Sequence, residues 1–60
     1  MYDKFRQIID KKGLTPYRVA KETGIATATM SDWKNGKSNP KLEKLSKIAT
    51  YLEVNLEDLI

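Results

Sequence analysis

Apolar positions in this chain recur at helical spacing, and nowhere do they alternate as in a strand. Tyr2, Phe5, Ile8 and Ile9 fall three and four residues apart, as one face of a helix does. Lys11, Lys12 and Gly13 then supply a stop. Cations suit the negative end of the helix dipole, and glycine accepts the left-handed conformation that turns the chain. Thr15-Pro16 reads as an N-cap followed by proline at the first helical position, where no amide hydrogen is missed. This second helix carries Val19 and Ala20 inward and is predicted to end at Gly24. In a third segment, Ala26 to Asn35, the residues Ala26, Thr29, Met30 and Trp33 lie within about 100° of one another. Thr27, Ala28, Ser31, Asp32 and Asn35 gather on the other side. Asn35-Gly36 has the composition of a hairpin turn, but its flanks do not alternate, so it predicts another helix exit.

Asn39-Pro40 repeats the cap-and-proline signal. Leu42, Leu45, Ile48, Ala49 and Leu52 then form the clearest apolar stripe, too short for a coiled coil. Asn55 is a last cap, with Asp58 where a capping box places its acidic partner, and Leu56, Leu59 and Ile60 begin a fifth helix. The prediction is an all-α fold: a compact bundle of five short helices, one domain over residues 1–60, with no repeat or linker. The predicted core is Phe5, Ile8, Val19, Ala20, Ile25, Met30, Trp33, Leu45, Ile48, Ala49, Leu52 and Leu56.

Composition narrows the chemistry. Sixty residues with 40% hydrophobic content support one small core. There is no cysteine, so no disulfide or thiolate metal site. There is no histidine either, which removes the commonest general base and the commonest metal ligand. Thr27, Ser31 and Asp32 resemble fragments of a hydroxyl-acid catalytic set, but without histidine, cysteine or room for a pocket the chain reads as a non-enzyme without cofactor or metal. No apolar run approaches the roughly 20 residues that cross a bilayer, and Met1 to Arg6 is no secretory segment. A soluble intracellular protein with no membrane association is the expectation.

The formal net charge is +3, and its placement carries more information than its size. Lys34, Lys37, Lys41, Lys44 and Lys47 face Glu43 alone, whereas Glu53, Glu57 and Asp58 close the chain without a base. A basic body with an acidic end suits a phosphate-facing surface, and charge alone fits an ordinary solvated face as well. The outward side of the third helix decides more. Its residues are small and hydrogen-bonding, not long and charged, so this helix can lie flat in a DNA major groove. The order of parts points the same way: two helices joined by a short turn at Gly24, then the basic loop Lys34-Asn35-Gly36-Lys37-Ser38. This is the helix-turn-helix arrangement, placed at about residues 15–35, with the second of the two helices as reader.

From Thr15 to Leu59 the chain resembles the phage repressor and Cro group of helix-turn-helix domains, also called Xre-like. The matching residues are Val19-Ala20, Gly24-Ile25, Met30, Trp33, Gly36-Lys37, Asn39-Pro40, Leu42, Leu45, Ile48-Ala49, Leu52, Val54, Leu56 and Leu59. Three positions depart from the family pattern. Pro16 stands where glutamine usually clamps a phosphate, and Ala26 where serine often caps the reader helix, which leaves Thr27 as the candidate cap. Lys34 replaces the acidic residue common before the Asn-Gly loop.

The resemblance implies a lambda-repressor-like fold and a sequence-specific, double-stranded DNA-binding regulator, a phage- or mobile-element-type repressor acting in the cytoplasm on the nucleoid. It implies base reading by Thr27, Ala28, Ser31 and Asp32. Ala28 offers contact to a thymine methyl, and Thr27 or Ser31 a hydrogen bond to a base edge. Asp32 has two readings: an acceptor for cytosine N4, or a solvent-facing acid that restricts register. Tyr17 and Arg18 at the start of the second helix, and Asn35, Lys37 and Ser38 after the reader, are implied to contact the DNA backbone. Tyr17 has a second reading, packing on the first helix. Similar domains bind palindromic operators as two-fold dimers. Little follows the fifth helix to make that contact, so a weak homodimer that forms on DNA is expected. The competing class is a helical protein-interaction module, such as the antitoxin half of a toxin–antitoxin pair.

Overall fold

Helix starts and stops are set by capping chemistry that is largely local. The computed structural model describes residues 1–60. Helix α1 runs Tyr2–Lys12, α2 Pro16–Thr23, α3 Thr27–Lys34 and α4 Leu42–Leu52, followed by a single 3-10 turn at Leu56–Asp58. The fold is all-α as expected, but the fifth helix shrinks to that one turn. A three-residue segment cannot offset the cost of nucleating an α-helix. The turn is held instead by the Asn55 amide, which donates to the Asp58 carboxylate at 3.1 Å. No helix is long and apolar enough to cross a membrane.

All four α-helices end in the same way. One or two residues past the helix the chain takes a left-handed conformation, and an amide beyond it reaches back to a carbonyl of the helix. Leu14 donates to Ile9 at 2.9 Å, Ile25 to Ala20 at 3.0 Å, Lys37 to Asp32 at 2.8 Å and Val54 to Ala49 at 3.0 Å. Gly13, Gly24 and Gly36 take the left-handed position in the first three, as the glycine stops predicted, whereas Glu53 takes it after α4. Leu14, Ile25 and Val54 then fold onto the core, but Lys37 stays exposed.

The starts follow the sequence less closely. Thr15 caps α2 as predicted, its hydroxyl accepting from the Arg18 amide at 3.1 Å, with Pro16 in the first helical position. α3 begins from Ala26, which is extended and offers no side-chain acceptor, so Thr27 is the first helical residue and not the cap. Ala26 is therefore exposed and leaves the predicted inward face, while Thr29 on that face is half-buried. Asn39-Pro40 does not start α4. Pro40 is buried, Lys41 is the extended capping residue, and the helix begins two positions later than the proline signal implies. Leu42 then falls at the helix end and projects into solvent, outside the stripe to which its spacing assigned it.

The core gathers Phe5, Ile9, Val19, Ala20, Ile25, Met30, Trp33, Leu45, Ile48, Ala49, Leu52 and Leu59. Two positions differ from expectation. Ile9 is fully buried and Ile8 only partly, because Tyr2, Phe5 and Ile9 fall within about 60° on the helix while Ile8 lies to the far side of Phe5. Leu59 is fully buried and Leu56 partly, because the 3-10 turn does not follow the α-helical period.

Aromatic packing joins α1 to α3. The Trp33 ring lies 4.8 Å from Phe5 and 5.3 Å from Tyr2, the latter edge-on. Trp33 is 2% exposed, and its indole N–H has no hydrogen-bond partner. Trp33→Ala is expected to cost about 3–5 kcal/mol, a large part of the roughly 5–15 kcal/mol that holds a domain together. Trp33→Phe is expected to cost less, under about 2 kcal/mol, since it keeps a ring and removes a buried donor that has no partner. Thermal and urea melts of the two variants check this, and equal losses would contradict it.

Candidate nucleic-acid interface

α3 is eight residues long and is held from one side. Met30 and Trp33 are buried, and between them they fix both the position and the roll of the helix. The opposite side carries Thr27, Ala28 and Ser31, all exposed, with Asp32 half-buried at its edge. Because Ala26 occupies the cap, the Thr27 hydroxyl is not spent on capping. Ser31 Oγ accepts a long contact from Asn35 Nδ2 at 3.5 Å, one turn further on. With short side chains the helix approaches its minimum diameter, and the major groove, about 12 Å wide, admits such a cylinder.

The loop after α3 is tied to the helix through Asp32. Its backbone carbonyl accepts from the Lys37 amide at 2.8 Å and from the Ser38 amide at 3.5 Å, across the left-handed Gly36. Both side chains lie on the surface at the end of α3. Of the expected backbone contacts, these two and Asn35 share one end of α3. The start of α2 is less open than its sequence suggests. Pro16 brings no amide hydrogen and the Arg18 amide is taken by Thr15, which leaves the Tyr17 amide. The Arg18 guanidinium is drawn to Glu22 at 3.3 Å in an exposed pair, a contact of small worth that an anion can displace. Tyr17 is 68% exposed and borders Tyr2 and Arg6 of α1 across a shared groove.

Tyr17, Ser31 and Asn35 line a common groove of about 180 Å³, together with Tyr2, Arg6, Pro16, Met30 and Lys34. Arg6 and Tyr2 from α1 were not among the expected site residues. Their spacing on α1 shows which residues share a face, but not that this face borders the reader helix. Arg6 pairs with Asp10 at 3.0 Å. The nearby Tyr2 hydroxyl, and after it Asp10, push the Arg6 pKa above its ordinary value, so the guanidinium stays charged. The Tyr2 oxygen itself is out of hydrogen-bond geometry with any group of the chain.

The surface thus joins a short-side-chain helix face to cations and open polar groups at both ends. The comparison with known families agrees: a model of the Cro/C1-type HTH DNA-binding domain matches residues 4–60. The chain belongs to the Cro/C1-type helix-turn-helix family. The match includes most of α1, beyond the Thr15–Leu59 stretch on which the resemblance rests in sequence. The HTH-type transcriptional activator BcrR of Enterococcus faecalis is 28% identical over 58 residues, covering 97% of this chain. The chain spans about 28% of that relative's length. No solved structure gives a significant match.

In this Cro/C1-type domain the turn at Gly36 holds the basic loop against α3, and its φ of 73° is the reason glycine stands there. A Cβ at this position meets nothing within 4 Å, so substitution acts through the backbone alone. Gly36→Ala is expected to cost about 1–2 kcal/mol and to lower the melting temperature by about 4–8 °C for each kcal/mol lost. Gly36→Asn should cost less, because asparagine enters the left-handed region more readily. Calorimetric melts of the three proteins check the order.

Proposed function

We propose that this domain is a sequence-specific, double-stranded DNA-binding transcriptional regulator that reads the major groove with the outer face of α3. The observation that carries the reading is the pairing of two faces on one short helix: Met30 and Trp33 buried behind, Thr27, Ala28 and Ser31 exposed in front. Membership of a DNA-binding family supports the class. The Enterococcus faecalis relative is named as a transcriptional activator, which supports regulation of transcription. The repressor sense, of phage or mobile-element type, rests on the resemblance to phage repressors.

Base reading falls to Thr27, Ala28, Ser31 and Asp32, and backbone contact to Tyr17, Arg18, Asn35, Lys37 and Ser38. None of the four readers is the arginine or glutamine that makes strong bidentate base contacts, so DNA shape carries part of the preference. The domain acts in the cytoplasm on the nucleoid, and two copies meet on a palindromic operator, their association in solution being weak.

Selection of bound sites from random duplexes tests class, half-site and symmetry together. On the selected site, Ser31→Ala and Asp32→Ala should each change preference at one base-pair position by up to about 1–3 kcal/mol. Ala28→Leu should abolish specific binding while leaving the helix intact, because leucine is a good helix former. Lys37→Ala should weaken binding to all sequences alike and reduce the salt slope by about one unit. Equal wild-type affinity for the selected and a scrambled duplex, at a salt level where binding is measurable, would sink the sequence-specific reading.

A further inference from the structure

The groove where α1 meets the start of α2 and the end of α3 is cationic and opens beside the reader face. Ser31 belongs to the proposed base-reading set, and Tyr17 and Asn35 to the proposed backbone set, and all three line it. Two cations line it as well, Arg6 from α1 and Lys34 from α3, and no carboxylate does. Asp10, the partner of Arg6, lies outside the lining, and both members of that pair are about half exposed at 48% and 57%. Exposed pairs of this kind are weakly held. Tyr2 lines the groove too, its buried hydroxyl next to Arg6 and without a hydrogen-bond partner.

A phosphate is the anion that fits this place. A backbone strand running past Ser31 and Asn35 crosses the groove, and half or more of protein–DNA hydrogen bonds go to such strands. The neighbouring start of α2 has only its Tyr17 amide open, since Pro16 has none and the Arg18 amide is capped by Thr15. Side-chain charge therefore has to supply what the helix end offers only in part.

We propose that Arg6 and Lys34 together seat one phosphate of the DNA backbone in this groove, so that α1 contacts DNA alongside the helix-turn-helix. On approach of the strand the Arg6 guanidinium exchanges Asp10 for the phosphate, and Lys34 holds the same phosphate from the end of α3. The contact carries no sequence information. It sets how far α3 enters the groove and adds to the salt dependence of binding. The proposal rests on the DNA-binding reading above.

The test is a titration of wild type, Arg6→Gln, Lys34→Gln, the double variant and Asp10→Asn against the selected and the scrambled duplex over a range of salt. Each single variant is expected to weaken binding to both duplexes by a similar factor, about three- to tenfold near 0.15 M salt. The double variant should lower the salt slope by about 0.9, the amount expected for one phosphate. Asp10→Asn breaks the same ion pair but leaves the cation, and should bind as tightly as wild type or more tightly. A duplex with one neutral methylphosphonate at the seated position should weaken wild type and leave the double variant unaffected. Melting curves establish that every variant is folded. An unchanged slope in the double variant overturns the seat, as does a slope loss near twice the single-phosphate value, or weakening by Asp10→Asn equal to that by Arg6→Gln. In each of those cases a wild-type preference for the selected duplex leaves the proposed function standing. Failure of wild type to bind any duplex removes both.

Discussion

The exposed polar face of α3 depends on how that one short helix is held from behind. α3 has eight residues, below the roughly 12–15 at which an isolated helix is even marginally stable in water. Its conformation is therefore maintained by burial of Met30 and, above all, Trp33. The indole packs against both Phe5 and Tyr2 of α1, which also touch each other. This makes α1 a structural support for α3, although it lies outside the helix-turn-helix itself. The packing is strong enough to keep an indole N–H buried without a partner.

The same contact explains why α1 borders the interface. Placing Tyr2 and Phe5 against Trp33 brings Arg6, on the same helix, to the groove that α3 shares with α2. Core packing and surface chemistry are linked by helical geometry: residues one turn apart share a face, so Tyr2 against Trp33 carries Arg6, four residues on, to the same side of α1. Lys34 stands beside Trp33 in the same way. With the family's acidic residue absent at that position, the end of α3 is positive where it faces the start of α2.

The loop after α3 differs from the other helix exits in one respect. Leu14, Ile25 and Val54 each follow a left-handed residue and return the chain to the core. Lys37 follows Gly36 with the same backbone bond and stays in solvent. The same backbone bond thus closes the chain onto the core in three places and presents a cation beside α3 in the fourth. The side chain after the turn makes the difference, not the turn.

Much of the fold was legible because the signals are local. Thr15-Pro16, Gly13, Gly24 and Gly36 act through the backbone within a turn of themselves, and each marks a real boundary. Asn39-Pro40 misled because Pro40 is buried ahead of the helix and Lys41 takes the capping position. The end of α4 carries no glycine, since Glu53 adopts the left-handed conformation that the packing of Val54 and Leu59 around it supports. The outer face of α3 and the cations after it were readable as a group from period and composition. The choice between Ile8 and Ile9, or Leu56 and Leu59, was not, because both members of each pair satisfy the pattern to within part of a turn. The four α-helices, their order and the outward side of α3 follow from capping and from a 3.6-residue period, both readable along the chain. It took packing between helices to lay α1 against α3 and to bring Arg6, Lys34, Tyr17, Ser31 and Asn35 to one groove. Period and capping constrain residues within one helix, whereas the relative placement of helices comes from side-chain packing between residues far apart in the chain.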